Sequence, residues 1–382
     1  MKRPTVSFVI PCYKLGHLLP ECVNSILAQS FEDFEILIMD DCSPDNTPSA
    51  AGAFRDERVK YVRNEPNLGH LKNYNKGIQL SAGKYIWLIS ADDYLRRPYI
   101  LERYVRVMEQ NPDVGYACCA GVWVRNGEER EIIDYSVYDN RDRIVSGPKF
   151  LESLVHRNIV LAASGMVRRD CYDRVGAFPL DAVWAGTPVE MGWAGDWYLW
   201  CMFALHFDVA FFAEPMVCYR EHDLNMTAII TDKEKVHRCA AADLAIPWMV
   251  KEQATALGYQ ELSKECSIAL ANEYSRQARS KMYRSGEMRL DIDEFDESLQ
   301  NSTKDQAERR WLYARFFLGL GDRYWYQNER SKAAEYYFKA LSRDPSLLKI
   351  YAKLMLLPLG RLGSFVRETI QYIRNQRLGT QQ

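Results

Sequence analysis

A chain of 382 residues with a formal charge of −2 and 47% apolar residues can bury two ample cores, and it exerts no global pull on nucleic acid. Its ten cysteines are scattered without a C-x-x-C pair, which argues against zinc, and several lie in apolar runs such as Tyr116–Ala120. The opening MKRPTVSFVIPCY has only a short apolar core and no cleavage site, and no run is long enough to span a bilayer, so a reduced, cytoplasmic chain is expected.

Val6–Ile10 is a β-branched run stopped by Pro11 and reads as a first strand. Leu18, Leu19, Cys22, Ile26 and Leu27 recur at helical spacing within Leu18–Gln29. Phe34–Met39 predicts a second strand ending in Asp40-Asp41, Asp45–Phe54 a helix opening, and Val59–Val62 a short strand. Asn73–Ser81 predicts a helix closed by Gly83, and Tyr85–Ile89 a buried strand that runs into Asp92-Asp93. Such alternation implies an α/β fold with a parallel, doubly wound sheet. Both acidic pairs then fall on the carboxyl edge of that sheet, where open α/β sheets bind ligands. Paired carboxylates there suit a divalent cation with oxygen ligands, although turns and helix caps favour Asp as well.

Further along, Val114–Val124, Glu131–Tyr135 and Val209–Phe212 predict strands. From about residue 235 helical patterning takes over. Phe317, Leu320, Gly321, Tyr324, Ala333, Tyr337, Ala340 and Pro345 fall on the spacings of a tetratricopeptide repeat at about 314–347, with at most a degenerate one around Tyr283–Leu299. The tail Ile350–Leu378 mixes apolar residues with Lys353, Arg361, Arg367, Arg374 and Arg377, as a surface-lying basic helix or a solvated terminal helix would.

The segments SFVIPCYKLGHLLPECVNSILAQSFEDFEILIMDDCSPDNT and NLGHLKNYNKGIQLSAGKYIWLISADD resemble the nucleotide-binding half of the inverting family 2 glycosyltransferases, which have the GT-A fold. The resemblance covers about the first 95 residues in order and spacing and continues more loosely to about residue 225. It implies that Pro11, Cys12 and Tyr13 line the base and ribose of a nucleoside diphosphate sugar, with Tyr13 offering a ring face. It implies that Asp41 hydrogen-bonds the base, while one aspartate of the pair caps the Ser43–Thr47 turn. Lys72 is implied to contact the diphosphate, or else to be a solvated helix-start lysine, and Asn75 to fix the backbone of its turn. Asp92 takes the position that holds a magnesium or manganese ion between the phosphates. Ser90 stands where the family usually has a second acid, and Asp93 would compensate.

On the acceptor side the resemblance carries Ser164–Arg169, DRVGAFP and WAGDWYLW. Asp196 matches an acidic residue at a helix start and is the candidate general base, with a helix N-cap as its plain alternative. Trp193 and Trp197 would stack on a sugar or pack in the core. Cys218–His222 resembles the family's Tyr-Arg-x-His stretch, so His222 would complete the metal shell or touch the diphosphate. The absence of Q-x-x-R-W argues for one sugar added per encounter.

The expected layout is a GT-A domain over 1–230, divided into 1–95 for the donor and 96–230 for the acceptor, then a helical domain over 231–382. The expected activity is metal-dependent, inverting transfer of a hexosyl or related sugar to a glycan or lipid-linked hydroxyl in cell-surface polysaccharide assembly. The location would be cytoplasmic, with a peripheral membrane contact through the basic tail and a protein partner or self-association through the helical domain. A degenerate domain serving as an interaction module is the alternative. A nucleotidyltransferase would need a glycine-rich basic loop where PCYKLGH stands, and a dinucleotide oxidoreductase would need G-x-G-x-x-G.

Overall fold

The structure is a computed structural model that describes residues 3–133, 141–184, 187–222, 225, 233–284 and 305–359. The chain divides into two compact units, Met1–Ala182 with Pro188–Ala242, and Val183–Thr187 with Asp243–Gln382.

The first unit begins with β1 (Val6–Cys12), α1 (Leu19–Leu27), β2 (Phe34–Asp40), α2 (Thr47–Gly52), β3 (Val59–Arg63), α3 (His70–Leu80) and β4 (Tyr85–Leu88). There follow β5 (Tyr94–Leu95), α4 (Ile100–Gln110), β6 (Val114–Arg125), β7 (Glu128–Ile133), β8 (Arg143–Val145) and α5 (Gly147–Leu154). After a short 3₁₀ turn come β9 (Met166–Arg168) and α6 (Arg169–Val175), followed in the chain by the short strands β10 (Val183–Trp184) and β11 (Thr187–Pro188), whose residues Val183–Thr187 belong to the second unit. Last are α7 (Met191–Ala204) and β12 (Asp208–Arg220).

The sheet runs β3-β2-β1-β4-β9-β6-β12-β5, with β7 on β6 and β8 on β12. Its first four strands are parallel, and β9 inserts antiparallel between β4 and β6, so the sheet is mixed. Every residue of β1 and β2 is buried, which is why their sequences read as continuous apolar runs. Phe8, Trp87, Tyr104 and Phe212 form a chain of ring contacts at 5.5, 4.5 and 4.6 Å through the core. The two polar tips in that chain are satisfied, Trp87 Nε1 by Ala163 O at 2.8 Å and Tyr104 OH by Ser164 O at 3.1 Å.

Three boundaries depart from the sequence reading. Pro11 does not stop β1, which pairs with β2 as far as Cys12. Pro11 O accepts from Ala91 N, so its missing N–H also faces the side where β4 has already ended at Leu88. Strand β12 does not end at Phe212: pairing with β6 breaks there, resumes at Val217 and carries Tyr219 and Arg220 inside the strand. Helix α3 starts at His70 rather than Asn73, after Gly69 at φ +81°, a backbone conformation that glycine adopts without strain.

Gly77 of α3 lies directly on β1, where a Cβ would stand 2.3 Å from Val9 Cγ1. Gly77→Ala is therefore expected to destabilise the fold by about 1–3 kcal/mol through overpacking, despite its better helix propensity. Denaturant unfolding would show this as a lower midpoint, and an unchanged midpoint would refute the close packing.

The second unit contains the C-terminal part of α8 (Lys233–Ala256), then α9 (Gln260–Arg284), α10 (Gln306–Tyr326), α11 (Arg330–Arg343) and α12 (Leu348–Leu356). Helices α10 and α11 meet through buried Leu320, Tyr324, Ala333, Tyr337 and Ala340, and Gly321 makes room for the Tyr337 ring. Tyr337 OH donates to Asp322 Oδ1 at 2.6 Å, and Lys353 Nζ reaches the same carboxylate at 2.5 Å. Lys353 is thus engaged within the helical unit and is not part of a freely solvated basic face. Arg361, Arg367, Arg374 and Arg377, and nearly all of Tyr283–Leu299, lie outside the described residues. Among the described residues no helix is long and apolar enough to cross a membrane.

Candidate active site

The carboxyl ends of β1, β2 and β4 carry the residues singled out in the sequence. At the end of β2, Asp40 is fully buried and caps the following turn, accepting from Ser43 N at 2.9 Å. Its other oxygen accepts from Tyr61 OH at 2.6 Å and Arg63 Nη1 at 2.5 Å. Asp41 is also buried and accepts from Asn64 Nδ2 at 2.9 Å, Leu68 N at 2.8 Å and Gly69 N at 2.9 Å. These three donors tie the Asp41 carboxylate to the loop before α3 and fix its orientation.

Of the three β1-end residues only Tyr13 presents its side chain, 44% exposed, with Lys14 Nζ 5.1 Å from its ring centre. Pro11 and Cys12 are buried strand residues. The Cys12 thiol lies 3.8 Å from Thr47 Oγ1, and burial pushes it up to about 12, leaving it an inert packing group. Lys72 is exposed in the first turn of α3.

After β4 the two aspartates diverge. Asp92 Oδ2 lies 2.9 Å from His222 Nε2, bringing together residues 130 apart in the chain. Asp92 Oδ1 is buried and has no hydrogen-bond partner among the described residues. Asp93 is 4% exposed and accepts from Arg220 N at 3.1 Å. Burial and the neighbouring Asp92 charge push the Asp93 carboxyl well above the usual range. Asp93 therefore serves as a fastener to β12 and not as an open ligand. Arg220 adds a second fastening: Nε donates to Asp92 O at 3.0 Å and Nη2 to Glu21 Oε2 at 2.7 Å, with Tyr94 beneath its guanidinium.

Asp196 does not begin a helix. Because α7 starts at Met191, with Glu190 at the cap position, Asp196 falls in the second turn, which excludes the N-cap role. Its carboxylate accepts from Asn158 Nδ2 at 3.0 Å and Trp197 N at 2.7 Å, and burial pushes its carboxyl up to about 6. Trp193 is 37% exposed, but Trp197 is buried with Nε1 donating to Leu154 O at 2.7 Å. Trp197 is a packing residue with no ring face available to a sugar.

Tyr74 of α3 connects the two acidic clusters: the charges of Asp92, Asp196 and Asp93 all act on its phenol, whose ionisation burial already opposes. One turn earlier His70 meets Tyr74 edge-on at 5.7 Å and lies against Gly192 of α7, where a Cβ would be 2.3 Å from His70 Nε2. Asn75 does not merely shape its own turn: Nδ2 donates to Phe178 O at 2.8 Å and Phe178 N donates to Oδ1 at 2.9 Å. Phe178 in turn packs on Tyr74 and sits against Gly195, next to Asp196. The sequence reading passed over His70, Tyr74 and Asn158, and gave Arg220, the arginine of the Tyr-Arg-x-His stretch, no role of its own. His70 and Tyr74 left a signal in their i, i+4 spacing on one helix face, and Asn158 left none.

Among the described residues no group of three or more His, Cys, Asp or Glu is arranged to hold a metal ion. Asp92 and His222 offer a hard carboxylate and an imidazole, and Asp92 Oδ1, without a partner among the described residues, fits a cation with oxygen ligands.

Residues 7–160 match the family Glycosyl transferase family 2. Over 111 residues the chain is 36% identical to Glycosyltransferase GlyG of Streptococcus pneumoniae, covering 28% of this chain and 37% of that one. Over 95 residues it is 34% identical to the succinoglycan biosynthesis protein ExoO of Rhizobium meliloti, covering 25% and 27%. It is also 28% identical over 177 residues to the uncharacterized glycosyltransferase EpsJ of Bacillus subtilis, covering 45% and 50%. The chain thus spans half or less of the length of these relatives. In fold it is similar to S. aureus TarS 1–349, solved in complex with UDP-GlcNAc, with a TM-score of 0.56, 13% identity and coverage of 91% and 92%. The fold is accordingly a GT-A-like α/β domain followed by a helical region.

Proposed function

We propose that this protein is a metal-dependent, inverting glycosyltransferase that moves a sugar from a nucleoside diphosphate sugar to a hydroxyl of a glycan or lipid-linked glycan, one residue per encounter, in polysaccharide assembly. The observation that carries the reading is the pairing of Asp92 with His222, one Asp92 oxygen buried and unpaired among the described residues, with Tyr74 within electrostatic reach of both Asp92 and the half-buried base candidate Asp196. The family 2 match over residues 7–160 supports the donor half.

Asp92 and His222 would hold a magnesium or manganese ion, which when bound neutralises charge on the departing diphosphate. Arg220 and Asp93 fix the loop that carries Asp92. Tyr13 supplies an exposed ring for the base, Lys72 an ammonium for the diphosphate, and Trp193 a half-exposed ring for the acceptor. The acceptor oxygen attacks the anomeric carbon, its proton passes to an Asp196 oxygen, and the sugar–phosphate C–O bond breaks with its electron pair leaving on the diphosphate. A carboxyl near 6 is about nine-tenths ionised at pH 7 and is a stronger base than an ordinary carboxylate.

In this reading residues 1–230 form the transferase domain and 231–382 a helical domain whose α10–α11 pair is a tetratricopeptide-like unit. The protein works in the cytoplasm, with its tail at the membrane surface and its helical domain available to a partner or a second copy.

The test is thermal unfolding with UDP, GDP and dTDP and their common sugar conjugates, with and without manganese. At a hundred times Kd a single ligand adds about 2.7 kcal/mol to stability. One base is expected to stabilise the wild type only with metal, and Asp92→Ala to lose the effect. No stabilisation by any nucleotide would sink the proposal.

A further inference from the structure

Helix α7 is gripped at two adjacent residues by the chain that leaves α5. Leu154 O, at the last residue of α5, accepts from Trp197 Nε1 at 2.7 Å. Four residues on, Asn158 Nδ2 donates to Asp196 Oδ2 at 3.0 Å. The amide has a fixed sense, because Asn158 Oδ1 accepts from Val160 N at 3.1 Å, which leaves only the amino group to face Asp196. The second Asp196 oxygen is held by Trp197 N. Each oxygen therefore has one protein donor and one remaining lone-pair direction, and the carboxylate plane is set by two elements.

We propose that Asn158 is the positioning residue of the base: it aims the Asp196 carboxylate and favours its ionised form. The proposal rests on Asp196 being the base. A neutral amide donor stabilises a carboxylate without pairing with it, so the group stays ionised and remains able to accept a proton. Among the described residues the Tyr74 phenol of α3, which burial keeps neutral, interacts electrostatically with Asp196. His156 and Arg157 on the Asn158 loop are exposed, and Glu190 on α7 lies 3.9 Å from Arg238.

The experiment uses the full chain labelled with ¹³C-carboxyl aspartate, with the Asp196 resonance assigned by Asp196→Asn. In the wild type that resonance is expected to titrate near 6. Asn158→Ala should raise the midpoint by about one pH unit. Asn158→Asp keeps the acceptor for Val160 N and so guards against misfolding. Its two carboxyls then share a proton, and the upper titration step should lie above that of the alanine variant.

Turnover is read in parallel as nucleoside diphosphate released from UDP-glucose, UDP-N-acetylglucosamine or GDP-mannose with manganese. Asn158→Ala should lower kcat about tenfold at pH 7, leave donor KM unchanged, and move the acidic limb upward with the titration. An Asp196 midpoint that stays put in both variants overturns the proposal. Full turnover in Asp196→Asn overturns the base assignment instead, and the titration still decides what Asn158 does to the carboxylate.

Discussion

Asp196→Asn is expected to lower sugar transfer by about 10²–10⁴-fold, the usual worth of a positioned general base, while donor affinity stays at the wild-type level. The asparagine is isosteric and keeps an oxygen for one of the two donors, Trp197 N and Asn158 Nδ2. What it lacks is a site for the acceptor proton. Wild-type kcat/KM should fall below about pH 6 as the carboxylate is protonated, and the variant's residual rate should lose that limb. Stability should move the other way. The folded-state value is raised above the ordinary aspartate value, so folding favours the protonated form. That contribution is fully present below the unfolded value and is lost as pH rises through about 6. At pH 7 the variant escapes the cost of an ionised, half-buried carboxylate and loses one hydrogen bond, a net gain of roughly 1–2 kcal/mol. The advantage should vanish below about pH 4, where wild-type Asp196 is neutral in both states. A variant that turns over within about threefold of wild type would remove Asp196 from the chemistry.

The parallel half of the sheet was legible because its strands are buried on both faces, so VSFVI and FEILIM read as continuous apolar runs. Irregular pairing was not. Nothing local says that β12 survives the Glu214-Pro215 interruption, since pairing resumes only because β6 offers twelve residues of partner. The start of α7 was missed for a related reason. Gly192 and Gly195 look like loop residues, but each is small because a ring, His70 or Phe178, packs where its side chain would be.

For the site, sequence located the acidic pairs but not what each carboxylate does. The donors that orient Asp41 and Asp93 are the Asn64 amide and the Leu68, Gly69 and Arg220 backbone N–H groups, which have no sequence signature. Asn158 is silent for the same reason, as its partner lies 38 residues away on another element. Residue type and strand-end position place a carboxylate at the edge of a sheet. The direction of its lone pairs depends on long-range neighbours.

Asp92 is where that direction decides the chemistry, and Asp92→Asn should have opposite effects on the free and the metal-loaded protein. With no ion bound, Asp92 sits beside buried Asp93 and leaves Oδ1 without a donor among the described residues, a cost of about 1–3 kcal/mol for a buried polar atom. Asparagine removes a negative charge beside buried Asp93 and can still hydrogen-bond His222 Nε2. The metal-free variant should therefore unfold at or above the wild-type midpoint. Manganese with nucleotide should then stabilise wild type and leave the variant unchanged, and turnover should drop by about 10³-fold, since charge neutralisation by a metal is worth several kcal/mol. His222→Ala should be milder, raising the manganese concentration for half-maximal rate about 10–100-fold and recovering at high metal. This ordering separates a metal site from a merely structural pair. If Asp92 and His222 only brace the loop, both variants unfold earlier without metal, and added manganese restores neither.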